Sequence, residues 1–282
     1  MRVRAVSLLV GAVAVMLATA GCNGTQPAST SVDRLAEARA ALPAEVRSSG
    51  ELTIGTDPVF EPITFMKDSQ YAGLDIDLGN AVAAKLGLRV KWATVSFGDL
   101  LGKIQGRNID VAMSSMTDKA DRQKQVDFVD YLNVGTSIVV KKGVGDIGGM
   151  PGLCGRRIAV QPGTFYVDMV QNQAKQCEAK KVTILQSRTP SADVAAGKAD
   201  ASMDDFPIMV ADVQRLPGLE LSGSQIEALP YGMAVAKDRP ALTGALQAAL
   251  YAIFEDGTYD QLLAKWKVKE GALKTGAING GI

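Results

Sequence analysis

The sequence predicts an α/β protein with a mainly parallel sheet. Strand and helix patterns alternate as β-α-β-α-β between Gly50 and Ser115, and a second such series starts at Arg157. The 29 glycines fit a chain with many tight turns between strands and helices.

Residues 1–21 read as an export signal. Arg2 and Arg4 precede an apolar run from Ala5 to Ala18, followed by Thr19-Ala20-Gly21-Cys22. The run is shorter than the roughly 20 residues a membrane-spanning helix needs. The cysteine after Ala-Gly resembles a lipobox, with Cys22 as the lipid-bearing residue of the mature chain. An ordinary cleaved signal with a chance cysteine is the other reading. Residues 22–47 read as a tether and short helix: NGTQPASTS is small and polar, and a helix from Val32 to Leu42 stops at Pro43.

From residue 51, ELTIGT reads as a strand, and LDIDLGNAVAAKLG mostly as a helix stopped by Gly87. RVKWATV is a strand, FGDLLGKIQG a short helix and IDVAMSS a strand. TSIVVKK at 136–142 is a strand before the glycine-rich turn region KKGVGDIGGMPGLCG. The second series runs RIAVQ (strand), GTFYVDMVQNQAKQC (helix), KVTILQS (strand), SADVAAGK (helix), ADASMDD (strand) and PIMVADVQRL (helix). YGMAVAKD at 231–238 is a further strand. Two amphipathic helices around Asp256-Gly257 close the chain.

Lys plus Arg and Asp plus Glu both number 30, and no basic stripe appears, which argues against a nucleic-acid partner. There is no histidine, which excludes a Ser-His-Asp triad, a Cys-His pair and any His-based metal site. No cofactor or metal is expected. No glycine-rich loop followed by Lys-Ser/Thr is present, so the chain is not itself an ATPase. Cys154 and Cys177 can oxidise in an exported protein, closing a loop of about twenty residues. Two buried thiols are the alternative.

SSMTDKADRQKQVDFVDY at 114–131 places small hydroxyl donors and an arginine where a strand meets a helix. That chemistry suits a carboxylate, because guanidinium binds one through two parallel hydrogen bonds. Asp118 is the expected cap of the helix beginning near Lys119.

ELTIGTD at 51–57, GLDIDLGNAVA at 73–83, IDVAMSSMTDKADRQKQVDF at 109–128, VQPGTF at 160–165, GKADASMDD at 197–205 and DGTYDQLLAKW at 256–266 together resemble the extracellular solute-binding proteins, family 3, of ABC importers for polar amino acids. The resemblance covers about 50–270. It implies the type II periplasmic-binding-protein fold: two α/β lobes joined by two crossing hinge segments, with ligand in the cleft between them. Lobe I is expected at 48–135 plus 230–282 and lobe II at 136–229, with crossings near Asn133–Ser137 and Glu227–Tyr231.

By the same resemblance, Arg122 grips a substrate α-carboxylate. Ser114 ends the strand, and Ser115 and Thr117 offer hydroxyl or backbone groups. Thr164 opens a helix whose N–H groups meet the carboxylate from the other side. Asp205 accepts the α-ammonium, Phe60 and Phe97 flank the ligand side chain, and Asp57 lies near its far end. Glu61 departs from the family pattern and is the specificity candidate. Asp57 and Glu61 favour a polar or cationic side chain; an acidic one would need a cation such as Lys119 or Arg188.

The expected function is the binding component of an amino-acid ABC importer rather than an enzyme. Its expected partners are a free amino acid, an ABC permease with its ATPase, and the membrane through a lipid anchor. The protein is expected as a monomer, exported and held at the outer face of the cell membrane or in the periplasm. The alternatives are a dehydratase-type enzyme on the same fold, with Glu61 or Asp204 as general acid, and a ligand-sensing receptor component.

Overall fold

The computed structural model describes residues 31–282 except residue 179, so the expected export signal and the expected lipidation site Cys22 lie outside the described residues. Helices α1 (Ser31–Ala41) and α2 (Ala44–Ser49) flank Pro43. Arg39 pins α1 by donating Nε and Nη2 to the Lys85 carbonyl at 2.9 and 2.6 Å.

Strand β1 (Glu51–Thr56) leads into a small antiparallel sheet of β2 (Val59–Phe60), β3 (Thr64–Lys67) and β4 (Gln70–Ala72). Then come α3 (Leu74–Lys85), β5 (Arg89–Thr94), a 3-10 turn at Phe97–Asp99, α4 (Leu100–Gln105), β6 (Val111–Ala112) and α5 (Ala120–Gln123). Strand β7 (Val126–Lys141) crosses to the second lobe, which holds β8 (Arg157–Val160), α6 (Phe165–Gln176), β9 (Thr183–Gln186), α7 (Pro190–Ala195), β10 (Ala201–Asp205) and α8 (Phe206–Arg215). Strand β11 (Leu219–Ala236) returns, and α9 (Pro240–Glu255) and α10 (Thr258–Trp266) pack on the first lobe.

The main sheet has the order β5-β1-β6-β11-β7-β10-β8-β9. Both flanks are parallel, as the βαβ pattern requires. The centre is antiparallel, because the chain crosses from one lobe to the other on β7 and comes back beside it on β11. The sheet is therefore mixed rather than mainly parallel. The strands expected at 136–142 and 231–238 are the ends of these longer elements, 16 and 18 residues in length. Asp127, Asp130 and Asn133 hide the first half of β7 in the sequence by interrupting its apolar run. At the crossing, Asn133 pairs with Pro230 and Gly135 with Ala228.

The first lobe is held by an apolar core that includes Leu52, Ile54, Leu78, Val111, Leu246 and Leu250, all buried. Ile138, Val140, Ile158, Val160, Val170 and Met203 form a second core on the other lobe. Burying each such side chain contributes about 1.5–3 kcal/mol. Cys154 and Cys177 are bonded, joining the 3-10 turn at Met150–Leu153 to the end of α6. Of the two readings of these cysteines, the bridge is the one the structure adopts. No helix among the described residues is long and apolar enough to cross a membrane.

Candidate functional site

The loop after β6 forms one wall of the site. Ser115 has φ +52°, in the left-handed region that β-carbon sterics disfavour. It is held there by the Asp75 carboxylate, which accepts the Ser115 N–H at 2.8 Å and the Tyr131 hydroxyl at 2.6 Å. Burial pushes the Asp75 carboxyl up to about 7, against the two donors that favour its charge. The Ser115 hydroxyl is buried and finds no hydrogen-bond partner among the described residues. Such an orphan costs free energy unless something else satisfies it.

Two positions along, the Thr117 carbonyl accepts Arg122 Nη1 at 2.8 Å. Arg122 is 8% exposed, and its guanidinium lies over the Phe97 ring, 5.4 Å from the centroid. Burial lowers the guanidinium from its ordinary value, opposed by nearby Asp121, Tyr166 and Asp205. Helix α5, which carries Arg122, is only four residues long. Asp118 does not cap it: Lys119 takes the cap position without a side-chain bond. The Asp118 carboxylate instead accepts Gln123 Nε2 and the Gly281 N–H, both at 2.8 Å, tying the C-terminal segment to this wall.

The opposite wall comes from the second lobe. Thr164 stands at the cap of α6, its hydroxyl donating to the Gln161 carbonyl at 2.7 Å. Asp205 ends β10, where Pro207 fixes the start of α8. Its carboxylate accepts the Tyr166 hydroxyl at 2.5 Å. Burial pushes the Asp205 carboxyl up to about 7, with Tyr166, Tyr231 and Arg122 opposing. Asp204 accepts the Asp205 N–H at 2.8 Å, and burial beside Asp205 drives its carboxyl well up. The Tyr231 hydroxyl stands close to Asp205 without a well-aligned hydrogen bond, a second buried orphan at this site.

Phe60, Phe97, Ser115, Thr117, Thr164 and Asp205 surround one cavity of about 10 Å³. Phe60 and Phe97 meet edge to face at 5.8 Å. The walls touch at two glycines: a β-carbon on Gly163 would lie 2.8 Å from the Gly98 α-carbon. Arg122 does not line this cavity; its guanidinium stands against the ring of Phe97, which does. Ser114 faces away from the cavity and accepts the Asp57 N–H at 2.9 Å. Asp57 does not line the cavity either: its carboxylate accepts the backbone N–H of the lining residue Phe97 at 2.9 Å and Arg188 Nη2 at 2.7 Å.

Glu61 is not with the others. It is exposed and borders a separate cavity of about 630 Å³ beside the crossing strands, with Leu132, Val134, Phe206 and Trp266. Sequence reading missed Asp75, Tyr166 and Tyr231. The tyrosines are far from Asp205 in the chain and carry no local signal, and Asp75 reads as an acid in a helix's first turn.

The description of bacterial extracellular solute-binding proteins, family 3, matches residues 52–269. The chain is 31% identical to the arginine-binding protein ArgT of Corynebacterium glutamicum, over 98% of this chain and 96% of that protein. It is similar to an ancestral arginine-binding protein bound to arginine (TM-score 0.72, 33% identity, 77% of this chain and 98% of the other). It is also similar to an ancestral amino acid-binding protein described as a precursor of cyclohexadienyl dehydratase (TM-score 0.72, 30% identity, 79% and 97%). With two lobes, two crossing strands and a buried polar cleft between them, the chain belongs to the bacterial extracellular solute-binding proteins, family 3.

Proposed function

We propose that this protein is the substrate-binding component of an ABC importer and carries a polar or charged amino acid in the cleft between its lobes. The observation that carries the reading is a buried guanidinium and a buried carboxyl from opposite lobes, Arg122 and Asp205, with the Ser115 hydroxyl unsatisfied in the wall of the cavity. A free amino acid is a zwitterion, and it meets that arrangement with one carboxylate and one ammonium. Arg122, with the N-terminus of α6 opposite, holds the carboxylate. Asp205 holds the ammonium, which is costly to bury without a counter-charge. Phe60 and Phe97 cover the side chain. The similarity to arginine-binding proteins supports this class of ligand.

A cavity of about 10 Å³ cannot admit an amino acid, so entry requires the lobes to part. Residues 48–135 plus 230–282 move as one body and 136–229 as the other, bending where β7 and β11 cross. The closed form is what a membrane permease with its ATPase engages. The mature protein begins at Cys22, is exported and held by lipid at the outer face of the cell membrane or in the periplasm, and works as a monomer. Isothermal titration of ligand-stripped protein with the common amino acids tests the reading. Micromolar or tighter binding by at least one, lost in Arg122→Ala, is expected; binding by none, or retained in the variant, overturns it.

A second reading is a dehydratase-type enzyme. It is favoured by the raised Asp204 carboxyl in the cleft and by the similarity to a dehydratase precursor. Glu61 lies on the other cavity, leaving Asp204 as its acid. Turnover of prephenate by the purified protein, abolished in Asp204→Asn, would replace the binding reading.

A further inference from the structure

Asp57 follows β1 on the first lobe, while Arg188 and Gln161 belong to the second. Arg188 Nη2 donates to Asp57 Oδ1 at 2.7 Å, and Gln161 Nε2 lies 3.4 Å from Asp57 Oδ2, which also accepts the Phe97 N–H at 2.9 Å. Asp57 is 1% exposed, whereas the Arg188 side chain is 52% exposed. A carboxylate that deeply buried needs a counter-charge or several donors. Here the counter-charge comes from the protein itself, across the interlobe boundary, on a side chain that can turn out into water.

We infer that Arg188 is a built-in counter-ion for Asp57: it latches the two lobes and stands where the cation of a basic ligand side chain would otherwise go. The inference rests on the amino-acid-binding reading and specifies its side-chain end. An arginine or lysine ligand reaches Asp57 only by displacing Arg188, and a neutral side chain such as that of glutamine leaves the pair closed. Arg188 thereby sets selectivity, shifting it toward neutral side chains and away from basic ones. The guanidinium fork suits this role, because one of its edges can hold the carboxylate while the rest stays hydrated.

Titration of wild type, Arg188→Gln and Arg188→Lys with arginine and with glutamine at low and high salt tests the inference. Arg188→Gln is expected to raise the arginine-to-glutamine affinity ratio by about five- to tenfold at low salt and by less at high salt. Arg188→Lys keeps the charge and is expected to stay near the wild-type ratio. An unchanged ratio in Arg188→Gln, or one shifted toward glutamine, overturns the inference while leaving amino-acid binding intact. If no amino acid binds any of the three proteins, the binding reading itself fails and the selectivity role falls with it. Small-angle scattering of the ligand-stripped proteins gives a readout without ligand: a larger radius of gyration in Arg188→Gln supports the latch, and equal radii overturn it.

Discussion

Asp75 holds Ser115 in a left-handed conformation by accepting its N–H at 2.8 Å, while its other oxygen accepts the Tyr131 hydroxyl. A carboxylate with no part of the cleft wall thereby fixes where the Ser115 hydroxyl stands. Asp75→Ala orphans both donors and is expected to lower stability by about 2–4 kcal/mol. Asp75→Asn can still accept from Ser115 and donate to Tyr131, so its loss should be smaller. Urea unfolding of the two variants checks this; equal losses would mean the acceptor geometry does not matter.

The Asp205 carboxyl, pushed up to about 7, couples ligand binding to protons. An ammonium favours the charged carboxylate, so the complex binds fewer protons than the free protein. Affinity is expected to be level above pH 7 and to weaken as pH falls below it, by up to about tenfold per unit. Titration in buffers of different ionisation enthalpy should detect proton release near pH 6.5. Without ligand the sign reverses. An unfolded aspartate titrates near 4, so this group costs the folded state stability as pH rises from about 4 to about 7. Asp205→Asn should remove its share of both slopes.

Gly98 and Gly163 are not equivalent partners in the interlobe contact. A β-carbon on Gly163 meets the Gly98 α-carbon at 2.8 Å, and Gly163 has φ +79°, whereas a β-carbon on Gly98 stays 3.8 Å from the Gly163 α-carbon. Gly163→Ala is expected to weaken ligand binding by at least about tenfold by keeping the walls apart, and Gly98→Ala by less than about threefold. Titration of both variants with the same amino acid makes the comparison.

Arg122→Lys keeps a positive charge and loses the planar fork. It is expected to weaken amino-acid binding by about 1.5–3 kcal/mol, the scale of a charge-assisted hydrogen bond. The corresponding amine without a carboxylate should lose far less. A lysine variant that binds both equally well would remove Arg122 from the carboxylate.

Replacing Cys154 and Cys177 by serine frees a loop with a separation of 23 residues. The expected loss is about 3 kcal/mol, seen as a lower urea midpoint. Ligand affinity should hold, because the bridge lies at the far end of α6 from Thr164.

The strands and helices of both lobes were legible because each buries a periodic apolar face, as in ELTIGT and in 240–266. The crossing strands were legible only at their ends. Asp127 and Asp130 sit inside β7, and their surroundings come from residues 277–281, which no local pattern announces. In the site, Thr164 and Asp205 stand at element ends, where the chain pattern marks them; Ser115 and Thr117 lie in the loop after β6, which ends at Ala112 rather than at the expected Ser114, and the four meet around one cavity. Glu61 was placed by its position next to Phe60, but β2 ends between them and Glu61 turns to the other cavity. Asp57 was marked by its position after β1, but its pairing with Arg188 depends on lobe contact and is invisible in either segment alone.

Strand β6 is paired on one side with β1 and on the other with β11, whose pairing residues lie more than a hundred positions later in the chain. As the chain collapses, the first lobe therefore keeps an open sheet edge until the second lobe's chain has been threaded out and back. Pairings this distant in sequence make folding slow, and they leave an unsatisfied edge exposed to other chains in the meantime. Refolding yield should thus fall with protein concentration, and fragments that end before Leu219 should aggregate rather than rest as a half-built lobe.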